Sequence, residues 1–298
     1  MNIESQRAKL PVVDTSRITK IVDGVFVIPD LDHIPFVPNI GIIVGKRATL
    51  VIDTGFGPEN ARAILKEARR IGNSRPIFLT HTHFHPEHGF GANVIADEVT
   101  TVYNDTQWSE LQEKGATVLR MFRTQIPALA PMLDGVAFVH PDLRYTGSLT
   151  LDLGGGHIVE FHEVGGAHSR GDQAILVRGS KSILFVGDLI EERFFGVLAD
   201  NESHVLPWID RLRRLEQYGP EIVVPGHGHI GGPDLIADYR AYFELARRRV
   251  DELRAAGELS ETDIVDRVSK ELLDLHPDWE NRKWATKAVS DLAWPARQ

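Results

Sequence analysis

The stretch THTHFHPEHGFG, Thr80 to Gly91, packs four histidines and a glutamate into the eight positions 81–88. It follows directly on the apolar run Ile77-Phe78-Leu79. Imidazoles add little to a core, so this density of ligand-type side chains implies a site. On an extended chain His83 and His85, two residues apart, project to the same side. Pro86 disfavours helical geometry at His85 and suits the first turn of a helix. Glu87 and His88 then fall at a helix start that turns them back toward the strand end. A strand-to-helix corner of this kind aims three imidazoles and one carboxylate at a common point. The competing register, His81-x-His83-x-His85, places Pro86 where a further ligand belongs and is set aside.

The chain has no cysteine. That removes disulfides, a thiolate nucleophile and thiolate ligands, so any metal must be held by imidazole and carboxylate. Zinc suits such a set, as one ion or two, and iron or manganese is compatible with it. The 42 acidic residues exceed the 33 basic ones, for a formal net charge of -9. No basic stripe accompanies them, which argues against a nucleic-acid partner. The opening residues MNIESQRAKLPVVD lack the apolar core of a signal peptide, and no apolar run approaches the ~18 residues of a membrane span. The expectation is a cytoplasmic protein away from membranes, acting on a small molecule.

Outward from the histidines, short apolar runs at 18–21, 25–28, 40–44 and 49–53 read as strands separated by turn residues. Residues 58–71 read as an amphipathic helix with Pro58 in its first turn and Ala61, Ile64, Leu65, Ala68 and Ile71 on one stripe. Pro76 opens the strand that ends in the histidine cluster. Residues 106–132 look helical, broken near Pro127 and Pro131. Further strands are expected at 135–139, 148–151, 157–164, 173–177, 182–186 and 221–225, with a helix at 206–218. From Pro233 onward the chain reads as helical, with Ser260 to Asp263 a capping box. The expectation is one α/β unit over residues 1–232 and a helical C-terminal extension, 233–298, packed on it. Trp279, Trp284 and Trp294 in that extension either cover the sheets or meet another subunit, so an oligomer stays open.

The run His83-x-His85-x-Glu87-His88 resembles the H-x-H-x-D-H signature of the metallo-β-lactamase-fold superfamily. Four further motifs of that family occur in order: LVIDTG with Asp53, GGAHSRGD with His168, FVGDL with Asp188, and VVPGHG with His227. The resemblance implies a four-layer αββα sandwich. It also implies that His83, His85 and His168 bind one metal, that Glu87, His88 and His227 bind a second, and that Asp188 bridges them. Asp53 would orient a ligating imidazole from behind. Glu87 departs from the family's aspartate. Its extra methylene leaves two arrangements open: a dinuclear site, or a single ion with Glu87 nearer the nucleophilic water. His81 and His229, beside the motifs, are read as structural; His33 and His204 are the remaining histidines expected nearest a pocket.

Such a site activates water without a protein nucleophile. The expected chemistry is hydrolysis of a small-molecule acyl bond (lactone, ester, thioester or lactam) by metal-bound hydroxide, with Asp188 and Glu87 as catalytic residues. An iron-dependent oxygenase or redox enzyme and a phosphodiester hydrolase are the alternatives. A purely structural zinc is disfavoured, because structural sites are closed by four ligands, mostly cysteine. Pocket walls are expected from 31–39, from 191–198 with Phe194 and Phe195, and from 121–133 as a lid.

Overall fold

The computed structural model describes residues 10–294; the reading of the first residues as lacking a leader lies largely outside this range. Strands β1 (Thr19–Val22), β2 (Val25–Ile28), β3 (Ile40–Val44) and β4 (Thr49–Ile52) form an antiparallel meander. After helix α1 (Pro58–Gly72), strand β5 (Ile77–Thr80) adds parallel to β4. Strands β6 (Thr100–Asn104) and β7 (Leu143–Tyr145) extend this sheet, giving the order β1-β2-β3-β4-β5-β6-β7. Between β5 and β6 lies the one-turn helix α2 (Pro86–Gly89), and between β6 and β7 the long helix α3 (Asp105–Gln125).

The second sheet has the order β12-β11-β10-β9-β8. Its members are β8 (Ser148–Gly154), β9 (His157–Glu163), β10 (Gln173–Arg178), β11 (Ile183–Glu191) and β12 (Ile222–His227). All pairs are antiparallel except β11 with β12. Helix α4 (Val205–Gln217) connects those two, and α5 (Asp234–Ala256), α6 (Glu261–Leu275) and α7 (Lys283–Ala293) follow.

Strand alternation sorts the side chains into layers. Leu50 and Ile52 face Ile175, Val177, Ile183 and Phe185 between the sheets. Val51, Ile40 and Ile42 turn outward against Ala61, Ile64, Leu65 and Ala68 of α1. Leu176, Leu184 and Val186 turn to the other side and share a core with α4 to α7. The result is the expected αββα sandwich with a helical C-terminal region. Because both faces of each sheet are covered, central strands such as IGIIV and ILFV read as continuous apolar runs. Gly41 is required between the sheets, since a Cβ there would lie 2.7 Å from the Phe185 ring.

Most boundaries expected from the sequence lie within two residues of those observed. Pro58 opens α1, and Asn73 closes it in the left-handed conformation. The capping box at Ser260 and Asp263 forms as read. Three expectations are corrected. Residues 135–139 are not a strand: Phe138 packs on Phe90 and against Gly115 of α3, leaving no ladder partner. The sheet edge is filled instead by β6 and β7, which the sequence reading passed over. Strand β5 stops at Thr80, so His81 to His85 lie in a bend, not on an extended strand.

Candidate metal centre

The parallel pairs β4/β5 and β11/β12 direct their C-terminal ends to one rim of the sandwich, where open α/β sheets place their ligands. Asp53 follows β4, the histidine bend follows β5, Asp188 lies near the end of β11, and His227 ends β12. A register shift at Gly187 bends β11 there. Gly187 has φ +52°, and a Cβ on it would come within 2.5 Å of Thr82, so glycine lets the two sheets close on the site.

Two groups of side chains converge. His83, His85, His168 and Asp188 each bring one ligand atom within 4.8 Å of the others, and so do Glu87, His88, Asp188 and His227. In the first group His85 Nδ1 lies 3.0 Å from His83 Nε2 and 2.8 Å from His168 Nε2. The three rings stand nearly perpendicular in pairs, at 82°, 84° and 88°. In the second, His88 Nε2 and His227 Nε2 lie 3.3 and 3.6 Å from Asp188 Oδ1. Asp188 Oδ2 faces the first group, 3.8 Å from His83 and 3.7 Å from His168. One carboxylate thus serves both. Every sequence-derived candidate (His83, His85, Glu87, His88, His168, Asp188 and His227) lies in one of these groups.

The surroundings set each ring. His168 Nδ1 donates to Val197 O at 3.0 Å and His227 Nδ1 to Val37 O at 2.9 Å, leaving both Nε2 lone pairs free to point inward. His88 Nδ1 donates to Asp53 Oδ2 at 2.9 Å. Asp53 adopts φ +69°, a left-handed conformation that Asp tolerates better than most residues. Burial, reinforced by neighbouring imidazoles, holds His83, His85 and His168 below the usual histidine pKa. They are therefore neutral and able to ligate. Burial pushes Asp188 up, but His88 and His227, the larger opposing influences, hold the carboxyl well below the usual range. Burial alone would lower His88; Asp188 and Asp53 reverse that and raise it well above.

Glu87 Oε2, His88 Nε2 and Asp188 Oδ1 are buried and without an aligned hydrogen-bond partner among the described residues. Buried polar atoms rarely stay unpaired. Three that converge from two segments, the adjacent pair Glu87-His88 of α2 and Asp188 of β11, fit a divalent cation. The donor set of imidazole and carboxylate is that of zinc and related ions.

Several supporting residues escaped the sequence reading. Asp172 accepts from the His168 and Ser169 amides at 2.8 and 2.9 Å and shapes the His168 loop. Asn39 donates to Pro225 O and Gly228 O at 2.9 and 3.0 Å, clamping the His227 loop. Asp30 Oδ2 lies 4.0 Å behind His227 Nδ1. His81, as expected, stays outside both groups: its Nε2 is 2.8 Å from the Tyr103 hydroxyl. Of the expected walls, Phe194 borders the site, its ring 6.1 Å from His227. Phe195 does not; it is buried against Tyr242 and Trp279. His204 contacts Asp291 instead of the centre. The 121–133 segment packs through Phe122, Leu129 and Leu133.

The sequence model of the metallo-β-lactamase superfamily matches residues 33–227, more than half of the chain and nearly the whole sandwich. The chain belongs to the metallo-β-lactamase superfamily. The expectation of a metallo-β-lactamase-fold hydrolase stands with it. Solved structures agree on the fold. The DIM-1 metallo-β-lactamase exposed to ceftazidime superposes with a TM-score of 0.62 at 19% identity, over 80% of this chain and 99% of that one. A metallo-β-lactamase from Pontibacter korlensis gives 0.60 at 20%, over 76% and 98%. The stereoselective inverting sec-alkylsulfatase Pisa1 from Pseudomonas sp. gives 0.69 at 19%, over 92% of this chain, which spans about half (49%) of that protein. No helix among the described residues is long and apolar enough to cross a membrane.

Proposed function

We propose that this superfamily member is a metal-dependent hydrolase of a small-molecule acyl bond: a lactone, ester, thioester or lactam. The observation that carries the reading is the shared carboxylate of Asp188, whose two oxygens face two separate groups of inward-pointing ligands. His83, His85 and His168 would hold one ion, and Glu87, His88 and His227 the other, with zinc the ion best matched to the donors. Bound there, such an ion lowers the pKa of a water ligand and polarises the oxygen of the bond under attack.

The protein's own share is orientation and proton handling. Asp188 directs the attacking water through its carboxylate. Glu87, with one carboxylate oxygen on the ion, takes up the water's proton on the other and returns it to the leaving group. Burial, only partly offset by His88, raises the Glu87 pKa, which suits a carboxyl that exchanges a proton. Phe194 gives the mouth an apolar side, whereas Ile34, Phe36 and Val37 of the 31–39 loop pack into the core.

Charge supports an acyl substrate over a phosphodiester or sulfate ester. The lysine whose field reaches His85, Lys114, is engaged by Glu110 at 2.8 Å, Glu202 at 2.9 Å and Asp200 at 3.3 Å. Arg170, near it, pairs with Glu113. Neither cation is free for an anionic substrate.

The test is a screen of metal-reconstituted protein against lactones, aryl esters, thioesters, a chromogenic cephalosporin, a phosphodiester and a secondary alkyl sulfate, with His83→Ala, Glu87→Gln and Glu87→Asp alongside. Turnover of an acyl substrate, lost on chelation and in His83→Ala, is expected. Turnover of the phosphodiester or sulfate ester alone removes the acyl assignment. Full turnover after chelation removes the metal mechanism.

A further inference from the structure

Beyond the buried centre, His33, Glu192 and His229 gather from three segments: the loop after β2, the residue after β11 and the turn after β12. Glu192 Oε2 lies 3.2 Å from His33 Nε2 and 3.2 Å from His229 Nδ1. None of the three belongs to the groups around Asp188. We propose that they form a second, peripheral site for a divalent cation of the zinc type.

Spacing is the first argument. Two donors bound at 2.0–2.1 Å to one tetrahedral ion stand about 3.3 Å apart. A charge-assisted N–H···O⁻ hydrogen bond is shorter, roughly 2.7–2.9 Å. Both contacts to Oε2, at 3.2 Å, lie at the long end of the N–H···O range and close to the first figure, and the same oxygen also accepts from the His229 amide at 3.1 Å. The second argument is the backbone that maintains them. His33 is held at φ +48°, an uncommon conformation for a non-glycine residue that costs on the order of 1 kcal/mol. Gly228 has φ +83°, and a Cβ on it would meet Glu192 Oε2 at 2.8 Å, so only glycine lets the carboxylate swing in. The Glu192 amide donates to His227 O at 3.0 Å, and its Oε1 faces Arg193 Nε at 3.1 Å, which fixes the carboxylate from behind.

Accessibility is the third. Side-chain exposure is 18% for His33, 16% for Glu192 and 49% for His229, so solvent can complete the coordination sphere. Three protein ligands with open positions give weaker, more exchangeable binding than the buried groups. Phe194 lies between the two places, its ring 5.2 Å from His33 and 6.1 Å from His227. An ion here puts a positive charge at the rim of the catalytic mouth, one aromatic ring from the centre.

The experiment counts ions on the full-length protein. Metal-stripped protein is dialysed against rising zinc and, separately, cobalt, and bound metal is measured by mass spectrometry for the parent, His33→Ala, Glu192→Gln and His83→Ala. Parent protein is expected to take up one ion per chain more than His33→Ala or Glu192→Gln, and to fill it last. His83→Ala, which damages the buried centre, is expected to retain this last ion, so failure of the proposed hydrolase site and failure of this one read differently. Equal stoichiometry in the parent and both peripheral variants overturns the proposal and leaves a hydrogen-bonded surface cluster. Loss of the buried ions in Glu192→Gln also overturns it, since the cluster would then only prop the His227 loop. Glu192→Gln is nearly isosteric and guards against misfolding of the alanine variant.

Discussion

Asp53 holds His88 from behind: its Oδ2 accepts the His88 Nδ1 proton at 2.9 Å, while its Oδ1 takes the Thr82 amide at 2.7 Å. One carboxylate thereby fixes a ring's tautomer and the bend that carries it. Asp53→Asn turns an acceptor into a donor at that point. The His88 proton then moves to Nε2, and the lone pair aimed at Asp188's side of the site is lost. Metal affinity of the second group is expected to fall roughly 10–100-fold, the usual cost of losing such a partner. Competition against a chromogenic chelator measures it, and unchanged affinity would remove Asp53 from the site.

Gly226 gives a steric test of the shared carboxylate. A Cβ there would lie 2.0 Å from Asp188 Oδ1 and 2.7 Å from Gly187 C. No left-handed strain complicates the substitution, so Gly226→Ala acts by displacement alone. Overpacking costs about 1–3 kcal/mol, which a chain of this size tolerates. The expected variant folds, with normal circular dichroism, but binds less than the parent's complement of metal and loses most turnover. A variant with full metal occupancy and parental rate would mean that Asp188 does not bridge.

His81 supplies a pH dependence separate from the ligands. Burial lowers its pKa from 6.5 to about 4, with the field of Asp53 opposing and that of His88 assisting. The unfolded chain takes up this proton near pH 6.5, while the folded chain resists it until about pH 4. Stability from this group is therefore complete above pH 6.5 and falls as the pH drops, by about 3 kcal/mol in total at pH 4. His81→Gln keeps a polar partner for Tyr103 but does not titrate. Urea unfolding of metal-free protein between pH 7 and 4.5 is expected to show a shallower decline for the variant; parallel curves would contradict it.

The fold was legible wherever motif spacing and strand alternation spoke together. Asp53, the histidine bend, Asp188 and His227 sit at or near strand ends, where local sequence dictates position, and His168 lies in the loop between β9 and β10. The supports were hidden because their logic is spatial. Asn39 reaches Pro225 and Gly228 across nearly two hundred residues, and nothing in VPNIG announces it. Strand β7 has only three residues, Leu143 to Tyr145, and owes its existence to β6 beside it. Residues 135–139 have a strand's composition and no partner. Phe194 and Phe195 are adjacent and alike in sequence, yet backbone alternation sends one to the rim and the other into the core.

The C-terminal helices are expected to be inseparable from the sandwich. Leu189, Phe195 and Trp208 share one buried cluster with Tyr239, Tyr242 and Phe243 of α5 and with Ala285 and Val289 of α7. Asp291 accepts from the Val205 amide at 2.8 Å and from His204 Nδ1 at 2.7 Å, capping α4 from outside. The segment 193–195 also bridges to Glu280, whose carbonyl accepts from the Phe195 amide at 3.2 Å. Ending the chain after Gly232 would uncover these aromatic and aliphatic side chains, each costing about 1.5–3 kcal/mol to expose. Several such losses exceed the ~5–15 kcal/mol that keeps a domain folded. The 1–232 fragment should therefore be insoluble, or soluble without a cooperative thermal transition, whereas Asp291→Ala in the full chain loses only about 1 kcal/mol. A fragment that melts cooperatively and binds metal would show that the catalytic sandwich stands without its helical cover.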